Sequence, residues 1–178
     1  MKFKRILFFV IAIITMLSSC FKEERSDFEG FGKKPIYKAI EELDAITNLS
    51  PQIVQQSGPI FLLDSLFFMT EYKKGIHIYN IADSAQISSL TFIQIPAVTD
   101  FTIENNYLYA DSWRDLVTID ISDLYNIKLL SRQTNVFEPL LYPALYNGFF
   151  ECIDESKGAV VGWEDVFLED VNCRTFNQ

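Results

Sequence analysis

The feature that most constrains this chain is that it repeats itself 40 residues further on. Phe61-Leu-Leu-Asp-Ser-Leu-Phe-Phe-Met69 lies over Phe101-Thr-Ile-Glu-Asn-Asn-Tyr-Leu-Tyr109, with Phe61 over Phe101 and Leu63 over Ile103. The match continues without a gap, Gly75-Ile-His-Ile-Tyr-Asn-Ile-Ala-Asp83 over Asp115-Leu-Val-Thr-Ile-Asp-Ile-Ser-Asp123, so Ile78 and Thr118 share a repeat position. Repetition of this period decides architecture ahead of local propensity, because one unit cannot bury its apolar face alone. The second unit divides into short β runs at 101–103, 107–111, 116–121 and 127–132, separated by Glu104-Asn105-Asn106, by 112–115 and by 122–126. Four short strands in 40 residues predict an antiparallel blade of a β-propeller. A third unit is degraded: a run at 149–153, a turn at 154–157, then Gly158-Ala-Val-Val-Gly-Trp163. The expectation is an all-β chain of about two and a half propeller-like, four-stranded antiparallel blades at 58–97, 98–137 and 138–165, followed by a tail at 166–178. A closed propeller takes about four to eight blades. The chain is therefore expected to be a truncated product, with open blade edges available for self-association.

The N-terminus carries a different signal. Lys2, Lys4 and Arg5 precede a twelve-residue apolar run, Ile6 to Leu17. At about 1.5 Å per residue a helix of that length falls well short of the ~30 Å hydrocarbon core. A basic start, a short apolar core and small residues describe a secretory signal at residues 1–19. Leu17-Ser18-Ser19-Cys20 resembles the lipobox of bacterial lipoproteins, which implies that Cys20 is lipidated and becomes the N-terminus. Lys22-Glu23-Glu24 resembles the signal that sends some Gram-negative lipoproteins to the cell surface; a solvated linker fits it equally. Residues 20–34 read as a charged, glycine-broken tether. Pro35, Tyr37, Ile40 and Leu43 predict a short helix within a 35–57 helix-and-linker segment. The expected location is the outer membrane, with attachment through lipid.

Removing residues 1–19 takes away three basic residues and no acidic ones, leaving 12 basic against 24 acidic, a formal charge of −12. Such a surface repels phosphate backbones, so nucleic acid is excluded as an expected partner. It also repels anionic headgroups. With Cys20 lipidated, Cys152 and Cys173 remain. In an oxidising compartment they would either pair, closing a loop of about 20 residues, or stay as separate buried thiols.

Catalytic patterns are absent. The sequence has no Gly-x-Ser-x-Gly, phosphate loop, dinucleotide fingerprint or His-Glu-x-x-His. His77, the single histidine, stands between Ile76 and Ile78 and faces opposite to both, as a solvent-facing or inter-sheet residue. Asp83, Asp120 and Asp123 recur with the repeat, which fits turns held by local backbone bonds better than calcium ligands. No catalytic residue, cofactor or metal ligand is expected. The best partner patch is Trp113 and Arg114 with Tyr109, residue types that anchor proteins or stack on sugars; Trp113 would otherwise cover the gap between repeats. The partner classes are an envelope protein or a glycan.

Taken together, Tyr72-Lys-Lys-Gly-Ile-His-Ile-Tyr-Asn-Ile81, Tyr107-Leu-Tyr-Ala-Asp-Ser112, the 115–123 element and Val160-Val-Gly-Trp163 resemble the LVIVD-repeat family of bacterial lipoproteins, over roughly residues 35–165. The resemblance implies a β-propeller-like repeat domain acting as a non-enzymatic binding or scaffold module, and carries over no catalytic residue. A surface glycan-binding or glycan-processing lipoprotein is the alternative, and a fragment without independent function is a third.

Overall fold

The computed structural model describes residues 28–83 and 85–176. The signal segment, Cys20, Lys22, Glu23 and Glu24 lie outside the described residues. The chain enters at β1 (Phe28–Lys38), turns through a 3-10 segment (Ile40–Asp44) and forms the short β2 (Thr47–Leu49). The first repeat supplies β3 (Ser57–Leu63), β4 (Leu66–Glu71), β5 (Gly75–Asn80) and β6 (Ser88–Gln94). The second supplies β7 (Phe101–Glu104), β8 (Tyr107–Ser112), β9 (Asp115–Asp120) and β10 (Lys128–Gln133). Last come β11 (Gly148–Phe150), a 3-10 turn (Glu155–Lys157), β12 (Ala159–Val171) and β13 (Cys173–Thr175).

Three separate sheets result, with strand orders β2-β6-β5-β4-β3, β10-β9-β8-β7 and β12-β1-β11-β13. The first two are antiparallel meanders whose hairpins close on two-residue turns at Asp64-Ser65 and Asn105-Asn106. Asp64 (φ 51°) and Asn105 (φ 56°) take the left-handed conformation that such turns need and that short Asx side chains tolerate. Alternation then sends Phe68, Ile76, Ile78 and Ile93 of one sheet and Leu108, Val117 and Ile119 of the other into a single core. Each such side chain contributes about 1.5–3 kcal/mol on full burial. The repeats are also stitched by Asn48 of β2, which donates to the Leu124 carbonyl at 2.7 Å and accepts from the Ile127 N–H at 3.0 Å.

The propeller expectation does not survive. The sheets have five, four and four strands, and they do not close into a ring. The third sheet is no blade. It is mixed, with β1 parallel to β11 and antiparallel to β12, so strands from opposite ends of the chain share it. Residues 138–165 contribute only the three-residue β11 and part of β12 before the chain leaves the repeat pattern.

The boundaries shift for identifiable reasons. Residues 28–34, read as tether, and 35–38, read as helix, are all β1. The glycines taken as breakers permit close packing there. A Cβ on Gly32 would run into the Phe149 carbonyl and the Leu168 side chain. Only Ile40–Asp44 is helical, and only as 3-10. The expected tail instead forms strand to Val171 and again at Cys173–Thr175. Within the repeat, the structural equivalent of Ile78 is Ile119 rather than Thr118. Ile78 pairs with Phe68 and Ile119 with Leu108, all four fully buried, whereas Thr118 is half-exposed on the opposite face. The β4–β5 hairpin closes over three residues and β8–β9 over two after one further pair, Ser112 with Asp115, which adds a residue to the offset.

Candidate functional site

The β4–β5 turn, Tyr72-Lys73-Lys74, lies where the three sheets converge. It is pinned by its backbone: the Lys73 N–H donates to Val98 O at 2.7 Å, and the N–H groups of Ala97 and Ile95 donate to Lys73 O and Lys74 O at 3.0 Å. These bonds to the linker between repeats hold Lys73 at φ 64°, a conformation uncommon for a side chain of its size. A cleft of about 470 Å³ opens beside the turn. Lys38, Lys73 and Lys74 supply charge, Gln52, Gln55 and Gln94 supply amides, and Leu49, Ile53, Phe92, Pro96 and Val161 supply apolar wall. Lys73 also lines the clefts to either side, one against 143–146 and 161–163, the other against β7, β8 and 137–140.

The floor of the cleft is Glu71. Its carboxylate accepts the backbone N–H groups of Gln55 at 2.9 Å and Gln56 at 2.6 Å, which fastens segment 51–56 across the sheet. His77 Nε2 lies 3.1 Å from Glu71 Oε2, and both side chains are sealed from solvent. Burial pushes the Glu71 carboxyl up, but the two backbone bonds and His77 more than reverse this, so it lies below its ordinary value. His77 therefore neither faces solvent nor bridges two sheets; it packs 4.8 Å from the Phe92 ring under the strap, and its Nδ1 has no hydrogen-bond partner among the described residues.

Lys73 is electrostatically different from the surface lysines. It is half-buried and makes no ion pair within 4.0 Å among the described residues. Burial pulls its ammonium below the ordinary range, and the charge of Asp111 returns part of that. Burial pushes the Asp111 carboxyl up, against hydrogen bonds from Asp100 and Thr99 and the pull of Lys73. Asp111 Oδ1 accepts both backbone N–H groups at 2.7 Å, and Oδ2 accepts the Thr99 hydroxyl at 2.6 Å. Its lone pairs are largely spent on the chain itself.

The residues singled out from sequence fall elsewhere or serve other ends. Trp113 (φ 62°) turns the β8–β9 hairpin and packs against the buried cluster of Leu43, Ala97 and Ala159, wedged between sheets. Arg114 lies over the Trp113 ring at 4.9 Å and pairs with Glu155, next to the terminal sheet. Tyr109 lines the cleft that Trp113 and Asp111 share, and Arg114 is not part of it. Cys152 and Cys173 are joined in a disulfide, Cα atoms 5.2 Å apart, tying the end of β11 to β13. Asp83, Asp120 and Asp123 each accept the N–H two residues on. No group of metal-ligating side chains occurs among the described residues. The Lys73 cleft itself escaped sequence reading. Its one advance signal was Lys73-Lys74 in a turn of an otherwise acidic chain.

No protein-family profile matches the chain, no curated protein is similar to it, and no solved structure matches its fold. The resemblance to LVIVD-repeat lipoproteins therefore falls, and with it the propeller scaffold that the resemblance implied: three unclosed sheets, one of them mixed, replace the ring of blades.

Proposed function

We propose that the protein is a binding domain of the cell envelope, held by lipid on Cys20, whose cleft at the β4–β5 turn takes a small organic acid such as a carboxylated sugar. The observation that carries this is Lys73: a half-buried cation on a pinned turn, without a carboxylate in ion-pair reach among the described residues. A buried charge of this kind costs free energy until an anion joins it. Lys38 and Lys74 add charge, three glutamines offer donors and acceptors for hydroxyls, and Leu49 and Ile53 offer exposed apolar surface for the carbon face of a sugar ring. Binding rather than catalysis is favoured because Glu71, which lines the cleft, and Asp111, whose charge acts on Lys73, already accept backbone N–H groups and are poorly placed to move protons.

The test is calorimetric titration of the purified chain with glucuronate, galacturonate, citrate and inorganic phosphate. One carboxylate should bind, and Lys73→Met should weaken it by roughly ten- to a hundredfold, the worth of one charge-assisted hydrogen bond. Lys157→Met, on the exposed 3-10 turn, should change nothing. Equal affinity in wild type and Lys73→Met would refute the assignment.

A further inference from the structure

Segment 140–147 lies against β11 and β13 of sheet β12-β1-β11-β13, and the sheet joins the core of the repeats at one end. There Lys38 and Ala159 pair, and Ala159 packs with Leu43, Ala97 and Trp113. β1 has eleven residues, so at about 3.3 Å each its opposite end stands roughly 30 Å away. That far end is aromatic. Phe31 and Phe167 pair across β1 and β12 with ring centroids 5.6 Å apart, and they are 78% and 53% exposed. At the start of β1, Phe28 stacks on Phe149 of β11 at 3.9 Å. Arg174 lies over Phe149 at 4.9 Å and over Phe176 at 4.7 Å, with Phe176 69% exposed.

Exposed apolar clusters of this kind mark contact surfaces. The position of this one identifies its occupant. Phe28 is the first residue of β1, and seven residues separate it from Cys20. Fully extended, that link spans at most about 28 Å. If Cys20 carries the lipid, as the proposed function holds, the aromatic end is the part of the domain nearest the bilayer. Aromatic rings with a cation laid over them suit the headgroup boundary, where the ring meets acyl chains and the charged tip stays wet.

We infer that Phe31, Phe167 and Phe176 rest in the interface of the membrane that anchors the chain, so that the domain stands on its terminal sheet with the Lys73 cleft facing away. Glu29, Glu169 and Asp170 flank these rings and are exposed, so the contact is made by apolar burial and not by attraction to anionic lipid.

The test uses the full chain, purified from membranes and reconstituted in vesicles of phosphatidylethanolamine and phosphatidylglycerol with brominated acyl chains. Tryptophan is added as Phe31→Trp, Phe167→Trp or Tyr125→Trp, and its quenching is read as the difference from the unsubstituted chain. Tyr125 is equally exposed but sits in the β9–β10 connection at the far end of the second repeat. Quenching at 31 and 167 should exceed that at 125 severalfold. Equal quenching at all three positions overturns the inference, as does a chain in which residue 31 is shielded by a second copy and unquenched. Flotation of Cys20→Ala decides the anchor separately. A variant that still floats removes the lipid reading, and the quenching then decides the face on its own. A wild-type chain that stays in the aqueous phase overturns both.

Discussion

Glu71 holds His77 Nε2 at 3.1 Å inside the first repeat sheet, and the same carboxylate fastens the strap at Gln55 and Gln56. One side chain thus joins strand, strap and histidine, and the strap is the wall of the cleft. Glu71→Gln keeps the shape but turns an amide NH2 toward a backbone N–H. It should cost about 2 kcal/mol at neutral pH. Because the folded pKa of Glu71 lies below its ordinary value, its contribution is fully present above roughly pH 4.3 and is lost as pH falls through the folded pKa. The variant and wild type should therefore converge in acid, as urea denaturation at pH 3 and pH 7 would show. A gap that is the same at both values would contradict the role given to Glu71.

Asp111 should behave in the opposite sense. Its folded pKa is raised, so its contribution is present below about pH 3.9 and is lost as pH rises through the folded value. Asp111→Asn keeps the Oδ1 acceptor for Thr99 and Asp100, and its amide can donate to the Thr99 hydroxyl. The variant should stay within about 1 kcal/mol of wild type near pH 4 and gain on it as pH rises toward 7. Denaturation curves that shift against this direction would show that Asp111 is not penalised by burial.

Arg132 of β10 is the latch between the second repeat and the entry segment. Its guanidinium pairs with Asp115 at 2.9 Å and Asp44 at 2.7 Å and donates to the Leu43 carbonyl at 2.7 Å. Arg132→Ala leaves Asp115 buried with only the Asn135 N–H for company. The expected loss is about 3 kcal/mol. Asp44→Ala removes only a solvent-exposed partner and should cost under about 1 kcal/mol. Thermal melts of the two variants check the contrast, which fails if both lose alike.

The Cys152–Cys173 bond closes a loop of 21 residues and should be worth about 3 kcal/mol in the chain-entropy model. Cys152→Ala with Cys173→Ala should lower Tm and release hydrogen-exchange protection first at Cys173–Thr175, since β13 pairs only with β11. Protection of β13 unchanged by the double substitution would show that the strand holds without the bond.

What could be read in the sequence followed the period-two alternation. Phe68, Leu108, Ile76 and Val117 sit at alternating positions, and burial follows the alternation through β7, β8 and β9 of the second repeat, whereas β5 of the first is buried on both faces. Three things were hidden. Pairing between strands remote in sequence, such as Phe28 with Val171, leaves no local mark, so β1 read as tether and helix. A single extra residue in the β8–β9 hairpin moves Ile119 to the place of Ile78 without breaking the visible repeat. The charge pattern of the cleft arises from Lys38 of the terminal sheet meeting Lys73 and Lys74 of the first repeat sheet. Alternation correctly put His77 on the face opposite Ile76. It carried no sign that segment 51–56 would cover that face.

The most direct measurement is hydrogen–deuterium exchange of the chain with and without the carboxylate that titration selects. Binding at the β4–β5 turn predicts added protection at 52–56 and 71–75, where the strap and the pinned turn line the cleft, and no change at 140–147. Protection confined to 140–147, or none at either segment despite saturating ligand, would place the site elsewhere and contradict the account.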